Sequence, residues 1–480
     1  MHPARVLPLA RVLPLARVRP QKKVSVVVGE MLNRAPHSLW VIGIVLGAVF
    51  LGRTLARNTD LGAAVLLGAM AGLLGLWLAL RQKDDARFLG RLFVAALGLR
   101  WIIAWVIYSN RLQEFFGPDA TTYDAFGAVL AEAWRAVGPT PAFTFLSIGK
   151  VGWGMYYYVG VIYYIFGQNP FAMQLANCAL GAITCVLVYK IAFLIYPQRW
   201  VARTAALLTA FSPSMVLWSS QLLRDGPIVF CLCVCTYYTL EIRDHIRARS
   251  ILMLLLSLLG LFALRNYLSY IVFMAIAGTF LFGMKRFTPL RIIQGGALVI
   301  VVGIALASFG GGEVAQSTWD LKRIQAGRVW SAQVATSGYG ADVDITDPEA
   351  AIGFLPIGIL YVLFAPFPWM ITNLRQFITL PELVIWWLLV PTLVKGYWFA
   401  VRRRLRESFT ICVFTLGLTV VYALYQTNVG TAYRHRAQLY IFFFIFISIG
   451  LELRRQAKRE RRAAVPIGSA SWQTAVVSEQ

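Results

Sequence analysis

Charge is what this sequence has least of. Of its 480 residues, 14% are Asp, Glu, Lys or Arg and 58% are hydrophobic, where a soluble chain would carry about 25% charge. That balance excludes a soluble globular enzyme. Acid is the scarcer sign, with 22 Asp and Glu against 45 Lys and Arg and a net charge of +23. In a soluble protein such an excess would point to nucleic acid. No basic, aromatic-rich soluble module is present, and the cations sit in short loops between apolar runs, the positive-inside signature of a membrane protein. Nucleic acid is therefore not a partner.

Metal-ligating residues are few and badly spaced. The histidines are His2, His37, His245 and His435, no two at ligand spacing. The cysteines (Cys178, Cys185, Cys231, Cys233, Cys235 and Cys412) all fall in apolar runs. Cys231, Cys233 and Cys235 resemble a cluster, but helix neighbours two apart point to different faces, so the three cannot converge on one ion. They read as small apolar residues. Internal repetition is also lacking beyond an N-terminal ARVLPL hexapeptide, which argues against a transporter built from two similar halves. That hexapeptide carries a proline in each copy and cannot form a regular helix. It is too rich in Arg and Pro for a secretory signal. We read residues 1–37 as a disordered basic segment, with the native start nearer Met31.

What the chain has is long apolar runs. Leu61 to Leu80 holds no charge and is long enough to span, since about 20 helical residues cross the hydrocarbon. Spans are expected at 39–53, 61–80, 88–108, 170–196, 200–218, 224–241, 250–264, 267–284, 291–309, 381–400, 408–426 and 436–453. The fold expected is an all-α polytopic integral membrane protein with about 12 transmembrane helices. Residues 38–87 hold two accessory spans, 88–309 a core with a first outer loop at 109–151, and 372–453 the C-terminal spans. Residues 454–480 form a basic cytoplasmic tail.

Two apolar stretches fit spans poorly. Residues 152–167 are short, tyrosine-rich and open with Gly152 and Gly154. Residues 351–371 hold Pro356, Pro366 and Pro368. Both read as interfacial or re-entrant. If 351–371 crossed, the run Arg402, Arg403, Arg404 and Arg406 and the run from Arg454 to Arg462 would lie outside. Left uncrossed, it puts 31 of the 45 cations on the cytoplasmic side, with both termini there.

Three outer features break the pattern. The loop 310–350 is acidic (Glu313, Asp320, Asp342, Asp344, Asp347 and Glu349). Arg224, Arg265, Arg434 and Arg436 sit at outer span ends, where cations are unexpected. The first loop holds Gly117-Pro118-Asp119-Ala120-Thr121-Thr122-Tyr123-Asp124, and Tyr123, Phe126, Leu130, Ala133 and Trp134 then recur at helical spacing, a surface helix. Asp119 stands where an N-cap belongs. A carboxylate at that boundary also suits a general base for an acceptor hydroxyl. Arg224-Asp225 is either an ion pair or part of a polar site. Arg434 and Arg436 carry the planar fork that binds phosphate.

The order of these parts resembles the GT-C superfamily of lipid-phosphate-sugar glycosyltransferases, especially its protein O-mannosyltransferase-like and aminoarabinose-transferase-like branch. The resemblance runs from about residue 90 to 245. That family's first outer loop has Asp-Glu followed shortly by Tyr; Asp119 and Tyr123 match, and Ala120 replaces the Glu. Asp124 lies about 140° farther round the helix, so it is not given the missing role. Gly154 through Tyr158 to Gly167 resembles the second juxtamembrane helix. Gln174-Leu175-Ala176-Asn177 through Gly181, Tyr189 and Ala202-Arg203 resembles the helices after it.

The resemblance implies an inverting glycosyltransferase at the outer face of the cytoplasmic membrane. Its partners would be a polyprenyl-phosphate-linked sugar donor, a glycan, lipid or protein acceptor, and membrane lipids. Asp119 is the catalytic candidate. Tyr123, Asp124, Arg224, Asp225, Arg265, Arg434 and Arg436 are the substrate-binding candidates. Trp319, Trp330 and Tyr339 are placed to stack on sugars or to anchor at the interface. No metal ligand is assigned and no cofactor is firmly implied; Asp342, Asp344 and Asp347 alternate as in a weak ion site, leaving a divalent metal open. The rival readings are an O-antigen polymerase or ligase, set aside because of the acidic first loop, and a lipid-linked sugar transporter.

Overall fold

A computed structural model of the chain describes residues 59–81, 85–138, 152–282, 289–307, 316, 318–335 and 337–463. The segment 1–37, the span expected at 39–53 and Glu313 lie outside the described residues. In chain order the elements are α1 (Thr59–Leu80), α2 (Ala86–Ser109), α3 (Gln113–Phe116), α4 (Asp119–Val137), α5 (Trp153–Phe166), α6 (Pro170–Ile195), α7 (Arg199–Phe211), α8 (Pro213–Ser219) and α9 (Asp225–Asp244). Then come α10 (Ala248–Leu264), α11 (Asn266–Phe282), α12 (Pro289–Leu306), α13 (Leu321–Gln333), α14 (Pro348–Phe364), α15 (Leu374–Arg403), α16 (Leu405–Tyr425) and α17 (Val429–Ala463). Among the described residues there is no strand, only an isolated bridge between Gly338 and Asn428.

Seven of these helices (α1, α2, α6, α9, α15, α16 and α17) are long and apolar enough to cross a membrane. The pair α7 and α8 makes an eighth if taken as one span bent by 57°. Helices α10, α11, α12 and α14 are apolar but shorter. The chain is thus an all-helical membrane protein, and among the described residues seven or eight of the expected twelve or so spans qualify by length and composition.

The bend between α7 and α8 follows from Ser212-Pro213. A residue before proline is pushed to extended backbone, and Ser212 has φ −61° and ψ 126°. The break frees carbonyls and amides that lipid cannot satisfy. Arg100, fully buried in α2, donates from Nη1 to the Ala210 carbonyl at 3.1 Å and from Nε to Ser219 Oγ at 2.9 Å. On the other side of the break, the buried Glu382 of α15 accepts from Ser214 N at 3.1 Å and from Ser212 Oγ at 2.6 Å. Its second oxygen takes the Tyr433 hydroxyl at 2.5 Å. Two charged side chains thus replace the hydrogen bonds the proline removes.

Helices α4 and α5 pair through small residues. A methyl group on Gly127 would collide with Val159, and one on Gly160 would press into Leu130. The buried face of α4 is Ala120, Tyr123, Gly127, Leu130, Ala131 and Trp134. Phe126, expected on that face, lies on its edge, exposed and against Tyr156 with ring centroids 5.2 Å apart.

Helix α14 forms across the stretch 351–364 despite Pro356. Its last turn is held from α17, where Arg436 donates from Nε to the Val362 carbonyl at 2.7 Å and from Nη2 to the Ala365 carbonyl. Trp386 Nε1 donates to the Leu363 carbonyl at 2.7 Å. The chain then runs back, and α15 starts at Leu374 rather than at 381, with Pro381 inside it. Arg375 lies over the Phe115 ring at 4.8 Å, which places the start of α15 at the end of the bundle that carries α3 and α4. Helix α17, buried along nearly all of its apolar length, is the central element.

Candidate active site

One end of the bundle gathers six of the eight expected site residues, from four separate stretches, with Tyr123 one turn into α4. Asp119 opens α4, Arg224 and Asp225 open α9, Arg265 lies between α10 and α11, and Arg434 is in the first turns of α17. Arg434 joins two carboxylates, through Nη1 to Asp119 Oδ2 at 2.8 Å and through Nε to Asp225 Oδ2 at 2.5 Å. Asp225 is 1% exposed and Asp119 49%. The buried acid therefore anchors the guanidinium, and the exposed acid is offered to the surface.

This corrects one sequence expectation and decides one that was open. Asp119 is the first residue of α4 rather than its cap; Pro118 takes the cap position, and no side chain caps that end. Asp225 pairs with Arg434, 209 positions away, rather than with its neighbour Arg224.

The backbone between α8 and α9 is fixed from α6. Asn177 Nδ2 donates to the Gln221 carbonyl at 2.7 Å and to the Leu223 carbonyl at 3.0 Å. That clasp presents Arg224 and Asp225 side by side at the start of α9. Gly152, at φ +85° before α5, faces the same spot: a methyl group there would come within 2.9 Å of Arg224 Nη1. Left-handed backbone and close approach both call for glycine at this position.

From Asp225 a chain of hydrogen bonds continues inward. Gln438 Nε2 donates to Asp225 Oδ1 at 3.2 Å, and the Tyr422 hydroxyl donates to Gln438 Oε1. Tyr422 stacks on His435 with centroids 4.9 Å apart. Arg265 lies 5.7 Å from the Tyr267 ring.

Charge within this cluster is not balanced. Arg224, Arg265 and Arg434 carry three positive charges against two on Asp119 and Asp225. Arg224 Nε, Arg265 Nη1 and Arg434 Nη2 are buried without a hydrogen-bond partner. A buried donor without an acceptor is costly, and more so in a charged group. Three open guanidinium donors of this kind match the chemistry of an anion with several acceptor oxygens. Tyr123 is buried beside the cluster, and that burial pushes its phenol up, so it stays neutral at physiological pH.

Two expected site residues lie elsewhere. Asp124 accepts from the Tyr163 hydroxyl at 2.5 Å and from Gln168 Nε2 at 3.3 Å, tying α4 to the far part of α5. Arg436 is fully buried and gives Nε and Nη2 to the end of α14, with Nη1 left without a partner. Two residues apart on a helix, Arg434 and Arg436 face different sides.

The second acidic loop is used locally. Asp320 caps α13 by accepting from Lys322 N, and Asp347 caps α14 by accepting from Glu349 N and Ala350 N. The exposed Asp344 accepts from Thr346 N, and that bond holds its carboxyl below the usual range. No group of three His, Cys, Asp or Glu side chains converges among the described residues. Tyr339 is buried and stacked on Tyr361 at 4.0 Å, which leaves no open face for a sugar, whereas Trp330 is 67% exposed.

Sequence reasoning missed Asn177 as a clasp, Gln438, Glu382 and Arg100. Arg100, Asn177 and Glu382 stand in apolar runs, and Gln438 follows Arg434, His435 and Arg436. The expense of a polar residue in lipid was the available signal, but each has a partner more than 40 positions away that spacing does not reveal.

Residues 151–309 match the family model of dolichyl-phosphate-mannose-protein mannosyltransferase, a GT-C family domain. The match takes in Arg224, Asp225 and Arg265 and ends before Arg434; Asp119 precedes it. No curated protein matches the chain at a significant level. Over that third of the chain the match, with the apolar helices above, supports a membrane glycosyltransferase of the GT-C type.

Proposed function

We propose that the chain transfers a sugar from a polyprenyl-phosphate donor to an acceptor hydroxyl, with inversion, at the outer face of the cytoplasmic membrane. Both termini would then lie in the cytoplasm, and the acceptor would be a cell-envelope glycan, a lipid or a protein. The observation that carries the reading is the cluster itself: a half-exposed carboxylate, Asp119, joined through Arg434 to a buried one, beside guanidinium donors that lack an acceptor.

In this reading the donor phosphate takes the open donors of Arg224, Arg265 and Arg434, and its prenyl chain lies in the bilayer. The bond from the anomeric carbon to the phosphate oxygen breaks as the acceptor oxygen attacks from the opposite face. The acceptor proton passes to Asp119. The leaving phosphate keeps the electron pair, and the arginines offset its growing charge. Arg434 holds Asp119 Oδ2, which leaves Oδ1 to meet the acceptor hydroxyl, whose proton is released as the new bond forms. Asp225 is given no contact with substrate; it sets the orientation of Arg434.

The test is donor class. Membranes carrying the chain, supplied with purified polyprenyl-phosphate-linked labelled sugar, should transfer label to an endogenous acceptor. Transfer directly from a nucleotide sugar, with synthesis of lipid-linked sugar blocked, would overturn the reading.

A further inference from the structure

The end of the bundle opposite Asp119 carries a second charged feature that sugar transfer does not use. Helices α15 and α17 run in backbone contact at two glycines. A methyl group on Gly396 would collide with the Phe446 carbonyl oxygen, and one on Gly450 with that of Thr392. Beyond this crossing a cleft with a volume of about 420 Å³ opens between the two helices, lined among others by Lys395, Trp398, Arg402, Arg403, Leu453 and Glu460.

The lining has an order along α15. Val384, Leu388, Pro391, Lys395, Trp398 and Arg402 recur every three or four residues, so they form one stripe, and the first five are exposed along with Arg402. That stripe runs from apolar, through a cation and an aromatic ring, to a second cation. Trp398 is 54% exposed, and the Arg402 guanidinium lies 4.1 Å from its ring. Among the described residues no ion pair joins Lys395, Arg402 or Arg403 to an acid. Three cations against the single acid Glu460 leave the cleft positive. A tryptophan between a cation and an apolar stripe is the arrangement of a membrane–water boundary.

We infer that this cleft binds the headgroup of an anionic phospholipid, whose acyl chain lies along Leu388 and Val384. The apolar stripe leading away from the cations is what favours a lipid over a free anion. Contact between the helices at Gly396 and Gly450 fixes the spacing of the cleft walls, so the cleft is part of the fold rather than a diffuse basic surface.

Native mass spectrometry of the full-length chain in detergent, titrated with phosphatidylglycerol or phosphatidylcholine, tests this. Phosphatidylglycerol should be retained in preference. Arg402→Gln and Arg403→Gln should each weaken its retention about fivefold, the effect of one cation near an anionic headgroup, and leave phosphatidylcholine unchanged. Arg454→Gln and Lys458→Gln, exposed cations outside the cleft lining, should change little. Equal loss in those two variants would show diffuse attraction and overturn the site. So would undiminished retention in the Arg402→Gln/Arg403→Gln double variant, or displacement of the lipid by millimolar inorganic phosphate.

Discussion

Arg434 Nε and Asp225 Oδ2 lie 2.5 Å apart, with the Asp225 side chain 1% exposed. Through this pair the last long helix is tied to the start of α9, and the guanidinium that meets Asp119 is held in one orientation. Removing one partner of a buried pair strands the other and costs about 3–5 kcal/mol. Asp225→Ala should therefore lower the melting temperature of the purified protein in detergent and abolish transfer. Asp225→Asn combined with Arg434→Gln removes both charges. It should regain much of the melting temperature and none of the activity. Restored transfer in the double variant would mean that Arg434 has no part in the chemistry.

Arg100 is placed to show how the bent span is held. Arg100→Leu fits an apolar helix better by composition, yet it leaves the Ala210 carbonyl and Ser219 Oγ without their buried donor. Each orphaned group costs about 1–3 kcal/mol. The expected result is a marked fall in thermal stability, read by the melting temperature in detergent. A melting temperature at or above that of the wild type would show that the break between α7 and α8 needs no support from α2.

Arg265 and Arg436 are both buried arginines at the same end, and their roles separate cleanly. Arg265→Gln should weaken binding of polyprenyl phosphate by about 1.5–3 kcal/mol, the worth of a hydrogen bond to a charged group, with little change in melting temperature. Arg436→Gln should do the reverse, because its donors hold the Val362 and Ala365 carbonyls. Binding by fluorescence quenching with a labelled prenyl phosphate, measured beside thermal unfolding, distinguishes them. A binding loss confined to Arg436→Gln would move the phosphate site toward α14.

The contrast between these two arginines also shows what the sequence could disclose. Helix identity was legible, because long apolar runs and their flanking cations leave few alternatives. That Asp119, Arg224 and Arg434 need partners was legible as well, since ionisable groups beside a span are expensive enough to need a reason. Grouping Arg436 with Arg434 was an error that helix geometry alone corrects, because residues two apart do not share a face. The cap reading of Asp119 failed for a different reason. Pro118 occupied the position one residue earlier, and an arginine 315 positions away claimed the carboxylate. The early start of α15 was hidden by Pro381, which reads as a boundary but lies inside the helix. Pairings such as Asn177 with the Gln221 carbonyl cannot be read from periodicity, which says that a position is buried but not what it meets.

The most direct test of the account is transfer of labelled sugar by Asp119→Asn, from a polyprenyl-phosphate donor in membranes holding each variant at matched levels. The amide keeps an oxygen to accept from Arg434 Nη1, so the protein should express, insert and bind donor. It cannot take a proton, and general-base catalysis contributes about 10²–10⁴-fold, so turnover should fall to near background. Asp124→Asn, whose carboxylate faces Tyr163 and Gln168, should lose far less. Near-normal transfer by Asp119→Asn would contradict the account, leaving Asp119 only an ion-pair partner of Arg434.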